Sequence, residues 1–189
     1  MLVSKDAKEF GLIPYMDLNE QVDSDFTRAR RRAFLRRVLA RLRDGPSSHQ
    51  LLSFDEVRRA LLANNRIHLG TKVVEVEKIV GTVGRRRDFD RSFLPTRASA
   101  EERWKRIDRA FHRTEDLPPV SLYKIGDSYF VLDGNHRVSV ARYHGIQTIE
   151  ATVTEFFPSR VTGARQESRS EPILHRLGGL VREHEPCCP

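Results

Sequence analysis

The stretch from Val120 to Val153, VSLYKIGDSYFVLDGNHRVSVARYHGIQTIEATV, constrains the fold more than any other part of the chain. Two β-rich runs flank Gly126, Asp127 and Ser128, the turn chemistry of a hairpin. A helical pattern opens at Asp133 and stops at Gly145, a residue suited to a left-handed cap. Ile149, Ala151 and Val153 then alternate with Glu150, Thr152 and Thr154, the period of a half-buried strand. Strand, strand, helix and strand in so short a span call for an α+β core with a small mixed sheet.

Upstream the period is helical. DFTRARRRAFLRRVLARLRD, from Asp23, sets Phe34, Leu35, Val38, Leu39 and Leu42 on one stripe, with Arg30, Arg32, Arg36, Arg37, Arg41 and Arg43 on the other sides. Gly45 and Pro46 are its stop signal. A second helix opens at Ser53, where SFDE reads as a capping box between Ser53 and Glu56, and runs to about Ala63. The two are expected to pair as a helical hairpin. Val74 and Val76 alternate against Glu75 and Glu77 in a strand, and GTVGRRRDFDRSFLPT follows as a loop. Ser99 and Glu102 suggest another capping box, before a helix with Trp104, Ile107 and Phe111 on its core stripe. Residues 1–22 show no period, and residues 158–189 are a polar tail with a weak helical signal near 173–184. The expected organisation is a helical region over 1–68, the α+β core over 69–157 and the tail over 158–189.

With 189 residues the chain has room for one sizeable core. Its net charge of +7, mostly an arginine excess, favours phosphate-bearing partners, because guanidinium groups grip phosphate oxygens as a fork. Cys187 and Cys188 are adjacent and cannot staple a fold, which points to a reducing compartment. No apolar run is long enough for a membrane span, and MLVSKDAKEF lacks the apolar stretch of a secretion signal, so a cytoplasmic location is expected. His68, His112, His144 and His175 are scattered without metal-site spacing, so no metal site is expected.

The DGNHR run, Asp133 to Arg137, carries the chemistry. The first amides of a helix lack carbonyl partners and lie at the positive end of its dipole. Gly134 lets an anion approach the backbone, Asp133 caps the turn, Asn135 offers neutral hydrogen bonds, and His136 and Arg137 add donors, together a phosphate cradle. The same residues also serve a plain fold: an N-cap, a packing glycine and a surface ion pair.

The run from VVEVEKIVGTVGR through LPPVSLYKIGDSYFVLDGNHRVSVARYHGIQTIEATVTEF resembles the ParB/sulfiredoxin-like domain over about half the chain. The resemblance implies that fold, with nucleotide phosphates bound at Gly134, Asn135, His136 and Arg137, and a nucleoside triphosphate, ATP or CTP, with Mg²⁺. Partition proteins of this type carry Gly-Glu-Arg-Arg here and bind CTP. They continue into a helix-turn-helix reader for which little room follows Glu155. Sulfiredoxins carry Gly-Cys-His-Arg; Asn135 stands at the catalytic cysteine, which excludes sulfinic acid reduction by that route. Free serine kinases of the ParB-like type carry Asp-Gly-His-His-Arg, so His136 and Arg137 correspond while Asn135 replaces a histidine.

Phosphoryl transfer also needs positive charge on the transferred group and a carboxylate. Gly81, Thr82, Gly84 and Arg85 form a basic turn able to offer amides and a guanidinium. The carboxylate candidates are Glu77, Asp88, Asp90 and Asp133, with Asp88 and Asp90 favoured in their loop and His136 as proton carrier or phosphate donor. The expected function is nucleotide-phosphate binding, with NTP hydrolysis or small-molecule phosphotransfer as its chemistry. The alternative is a non-catalytic DNA-binding module in which Arg32, Arg36, Arg37 and Arg41 follow a phosphate backbone without reading sequence. A ParB-like nuclease is less favoured, because the sequence offers no metal-carboxylate cluster.

Overall fold

The basic segment folds as one long helix, α1 (Leu18–Asp44), which begins one turn before the expected Asp23. The structure is a computed structural model and describes residues 17–44 and 50–158. The Gly45–Pro46 stop, the expected tail and its helix, and the two cysteines lie outside the described residues. α1 buries Val22, Phe26, Ala29 and Ala33, a set at helical spacing. The expected stripe of Phe34, Leu35, Val38, Leu39 and Leu42 is exposed. The physical reason is the extent of the partner surface: Phe26, Ala29 and Ala33 pack with Leu94, Trp104 and Val140, and the cluster ends there while the helix runs on.

The remaining elements are β1 (Leu52–Ser53), α2 (Phe54–Ala60), β2 (Asn65–Glu75), β3 (Ile79–Thr82), α3 (Glu101–His112), β4 (Val120–Ile125), β5 (Ser128–Asp133), α4 (Asn135–Tyr143) and β6 (Thr148–Phe157). The strands form a six-stranded mixed sheet in the order β1-β3-β5-β4-β6-β2. β1, β3 and β5 run parallel, the β4–β5 hairpin is antiparallel with Gly126 at φ +57°, and β6 is parallel to β4 and antiparallel to β2. The chain is thus a mixed α+β structure. The expected boundary at residue 68 falls inside β2, and β1 pairs with β3, so residues before 69 belong to the same sheet.

Alternation along the strands divides the core. Val120, Leu122, Val131, Ala151 and Val153 face Val138 and Ala141 of α4. Tyr123, Ile125, Phe130 and Phe156 turn the other way, toward Phe54 and Val57 of α2. α1 packs on the α3–α4 side and α2 on the opposite face, so the two do not form the expected hairpin; each has its own hydrophobic cluster to cover. The Ser53 hydroxyl accepts the Glu56 amide at 3.5 Å, but the Glu56 carboxylate pairs with Arg86 at 2.7 Å instead of returning to the cap. The Ser99–Glu102 box does not form: a 3-10 turn over Ala98–Ala100 leads into α3, whose N-cap, Ala100, makes no side-chain bond.

Candidate functional site

Parallel neighbours end on the same edge of a sheet, and ligands in such folds gather beyond those carboxyl ends. β3 ends at Thr82 and leads into the loop that carries Arg85; β5 ends at Asp133 and turns directly into α4. The turn is made by Gly134 at φ +100°, and a Cβ there would lie 2.7 Å from Val120 Cγ1 and 3.1 Å from Arg137 Nε. Only glycine meets both demands. Gly134 is the N-cap of α4, and no side chain caps that end. The expected cap, Asp133, directs its carboxylate to Arg137 Nη2 at 2.7 Å instead.

Beyond this helix start lies a cavity of about 380 Å³, lined by Arg85, Arg103, Arg106, Ile107, Asp133, Gly134, Asn135, His136 and Arg137. Arg103 and Arg106 stand three residues apart on one side of α3, exposed, and neither makes an ion pair among the described residues. Arg85 pairs with Asp88 at 3.4 Å, and Asp88 also faces Arg97 at 3.7 Å. Arg137 is the most constrained of the four cavity arginines: Nη1 donates to the carbonyls of Pro118 and, at 3.0 Å, Pro119, while Nη2 holds Asp133. It therefore ties α4 to the start of β4, with its Nε directed along Gly134. Asn135 is only 7% exposed, and its Oδ1 has no hydrogen-bond partner among the described residues.

His136 rests edge-on against Phe89, ring centroids 5.2 Å apart, and its Nδ1 is buried without a partner among the described residues. Burial first, then Arg85 and Arg103, opposed by Asp88, push its pKa down from 6.5 to about 4. At neutral pH the ring is uncharged and offers one N–H and one lone pair. Above pH 6.5 it is neutral whether the chain is folded or unfolded. As pH falls from 6.5 toward 4 the unfolded chain takes up a proton that the folded one refuses, so the stability linked to this ring is lost across that window. Urea unfolding of wild type and His136→Asn at pH 7 and pH 5 is expected to show the wild type losing more stability on acidification. Equal losses would place the titration elsewhere.

No family model matches the chain, and no curated protein does. Among solved structures, the sulfiredoxin of Arabidopsis thaliana is similar over 44% of this chain and 82% of its own, with 18% identical residues and a TM-score of 0.33. A likeness of that size says nothing about activity.

The residues singled out in the sequence divide into two sets. Arg85, Asp133, Gly134, Asn135, His136 and Arg137 come together around the cavity. Gly81 and Thr82 do not line it. Gly81 lies within the sheet between Leu52 and Phe130, where a Cβ would sit 2.4 Å from the Leu52 carbonyl oxygen. Thr82 is buried, donating to the Val131 carbonyl at 3.0 Å and receiving the Gly84 amide at 3.3 Å. Asp90 is also internal: its Oδ1 accepts the amides of Ser92 and Leu94 at 2.9 and 2.8 Å, which closes the 90–94 turn, and burial raises its pKa. It clamps the loop and does not reach the cavity. Arg32, Arg36 and Arg41 are exposed along α1 and Arg37 is half-buried, with Arg32 over the Tyr143 ring at 5.2 Å.

Arg103 and Arg106 are the site residues that the sequence did not single out. Their spacing next to the Trp104 and Ile107 core stripe was the available signal: two arginines on the flank of a stripe that packs against the helix carrying DGNHR.

Proposed function

We propose that this protein binds the phosphate groups of a nucleotide, or of a similarly phosphorylated small molecule, in the cavity at the start of α4. The observation that carries this reading is the meeting of four arginines, Arg85, Arg103, Arg106 and Arg137, with an uncapped helix N-terminus around a cavity of about 380 Å³. Helix amides without a side-chain cap, at the positive end of the dipole, and the unpaired guanidinium groups of Arg103 and Arg106 both favour a multiply charged anion. Arg103 and Arg106 are the donors with no competing carboxylate among the described residues, so they supply most of the phosphate contact. Arg137 shapes the helix start and adds its Nε. The Oδ1 of Asn135, free among the described residues, is an acceptor, so it would meet a hydroxyl or N–H of the ligand and not its phosphate oxygens.

Hydrolysis or transfer of a phosphoryl group would add a Mg²⁺ ion. Asp133 is the carboxylate on the cavity wall, with its side chain 75% exposed, and Asp88 follows behind Arg85. The ion would neutralise charge on the transferring group. Neutral His136 lines the cavity but its Nδ1 is buried, so a hydrogen bond to a phosphate oxygen would fall to its other ring nitrogen, Nε2.

Nucleoside triphosphates with Mg²⁺, assayed as a panel against nucleoside and inorganic phosphate, are expected to raise the melting temperature by about 5 °C or more at ligand a hundredfold above Kd. No shift with any phosphorylated member sinks the reading. The exposed arginine flank of α1, and the hollow beside it lined by Arg30, Arg31, Ala33, Phe34, Arg37 and Thr96, favour nucleic acid as the second reading. Duplex DNA therefore belongs in the same panel: a shift with DNA alone, steeply weakened by salt, selects that reading over the first.

A further inference from the structure

Three helices converge behind the anion cavity on four side chains to which neither the phosphate reading nor the sequence spacing gives a role. Asp25 comes from α1, Asp108 and His112 from successive turns of α3, and His144 from the C-terminal cap of α4. One donor atom from each lies within 4.8 Å of all the others. Both histidines turn Nε2 inward, His144 to Asp108 Oδ1 at 2.7 Å and His112 to Asp25 Oδ2 at 3.2 Å and Asp108 Oδ2 at 3.7 Å.

We propose that Asp25, Asp108, His112 and His144 form a four-ligand site for a divalent transition metal of the zinc class, which joins α1 to α3 and α4. Geometry supports it first. Metal–donor bonds of about 2.0–2.1 Å in a tetrahedron place the donors about 3.3 Å apart. Two edges that share one donor set, His112 Nε2 to Asp25 Oδ2 at 3.2 Å and to Asp108 Oδ2 at 3.7 Å, lie on either side of that value, while His144 Nε2 meets the other Asp108 oxygen, Oδ1, at 2.7 Å.

Charge and hydrogen bonding support it next. Asp108 is 0% exposed, yet its Oδ2 has no hydrogen-bond partner among the described residues, an open acceptor directed into the cluster. The two buried carboxylates, Asp25 and Asp108, carry the charge that one divalent ion would cancel.

The surroundings also suit ligands held in place. The Tyr143 hydroxyl donates to Asp25 Oδ1 at 2.7 Å, the kind of outer partner that fixes a ligating carboxylate. Phe111 stacks on the His144 ring at 4.3 Å and 20°, which sets the plane of that imidazole. Two nitrogens and two carboxylate oxygens from four protein groups select zinc over magnesium or calcium, which take oxygen donors and retain water.

The test uses the full chain with Cys187→Ser and Cys188→Ser, so that terminal thiols cannot bind the metal, stripped with chelator and titrated with zinc chloride. One equivalent is expected to bind and to raise the melting temperature by about 5–10 °C at zinc a hundredfold over Kd. Cobalt(II) in its place is expected to give the visible bands of a tetrahedral site. His144→Gln and Asp108→Asn are each expected to lose the stoichiometric binding and the shift. Absence of binding, or an unchanged shift in both variants, overturns the proposal. Should a variant fail to fold, the cobalt spectrum of the parent decides: weak octahedral bands, or none, overturn it.

Discussion

Replacing Arg103 and Arg106 together with alanine is expected to weaken binding of a phosphorylated ligand by roughly a hundredfold while leaving the fold intact. A hydrogen bond to a charged group contributes about 1.5–3 kcal/mol. Both arginines are exposed, which sets each loss at the lower end, about tenfold apiece. Neither side chain makes an ion pair among the described residues, so their removal leaves no carboxylate stranded and relieves repulsion with Arg85. The unliganded melting temperature is therefore expected to hold or rise slightly. A second readout separates electrostatics from damage. Because Arg103 and Arg106 both hold the His136 pKa down, the double variant is expected to titrate His136 closer to 6.5, seen in its ring proton shifts without any ligand. Undiminished affinity in the double variant would remove the arginine cluster from the binding account altogether.

What could be read from the chain, and what could not, follows from how local each signal is. The β4–β5 hairpin and α4 are written in contiguous residues: the Gly126 turn, Gly134 and Gly145, all at positive φ, each mark a change of direction where they stand. The helix start at Gly134–Arg137 is legible for the same reason. α1 misleads because two of its faces carry apolar residues at helical spacing. The face with Phe34, Leu35, Leu39 and Leu42 is the more hydrophobic, but the buried one uses Ala29 and Ala33, whose small side chains let α1 lie close against Trp104. Hydrophobic weight favours the first face, and available partner surface decides for the second. Capping boxes fail in a similar way, since Glu56 finds Arg86 from a distant loop at 2.7 Å.

Groups assembled by tertiary packing leave no trace in spacing. Asp25 and His112 are 87 positions apart and Asp108 and His144 are 36 apart, yet the packing of three helices puts them in contact. Arg103 and Arg106 reach the cavity only because Trp104, between them in sequence, turns inward and docks α3 against α4. The same helix thus supplies an anchor to the core, two cations to one cavity and two donors to another cluster.

That threefold use of α3 makes Trp104→Ala the substitution with the largest expected effect on stability. Trp104 is fully buried; its ring lies 5.6 Å from Phe26 and 5.5 Å from Tyr143, and its Nε1 donates to Ser139 Oγ at 2.9 Å. Truncation of a buried aromatic of this size costs about 3–5 kcal/mol. For a chain of this length that lowers the melting temperature by roughly 6–20 °C, measurable by calorimetry. Trp104→Phe keeps most of the volume but leaves the buried Ser139 hydroxyl without its donor, an added cost of about 1–3 kcal/mol. Trp104→Phe combined with Ser139→Ala is therefore expected to be more stable than Trp104→Phe alone, because the second change removes the stranded hydroxyl. If Ser139→Ala brings no recovery in the Phe background, the indole acts through volume alone. Either outcome also bears on the cavity: a looser α3 carries Arg103 and Arg106 with it, so ligand affinity is expected to fall in Trp104→Ala even though no cavity residue has been changed.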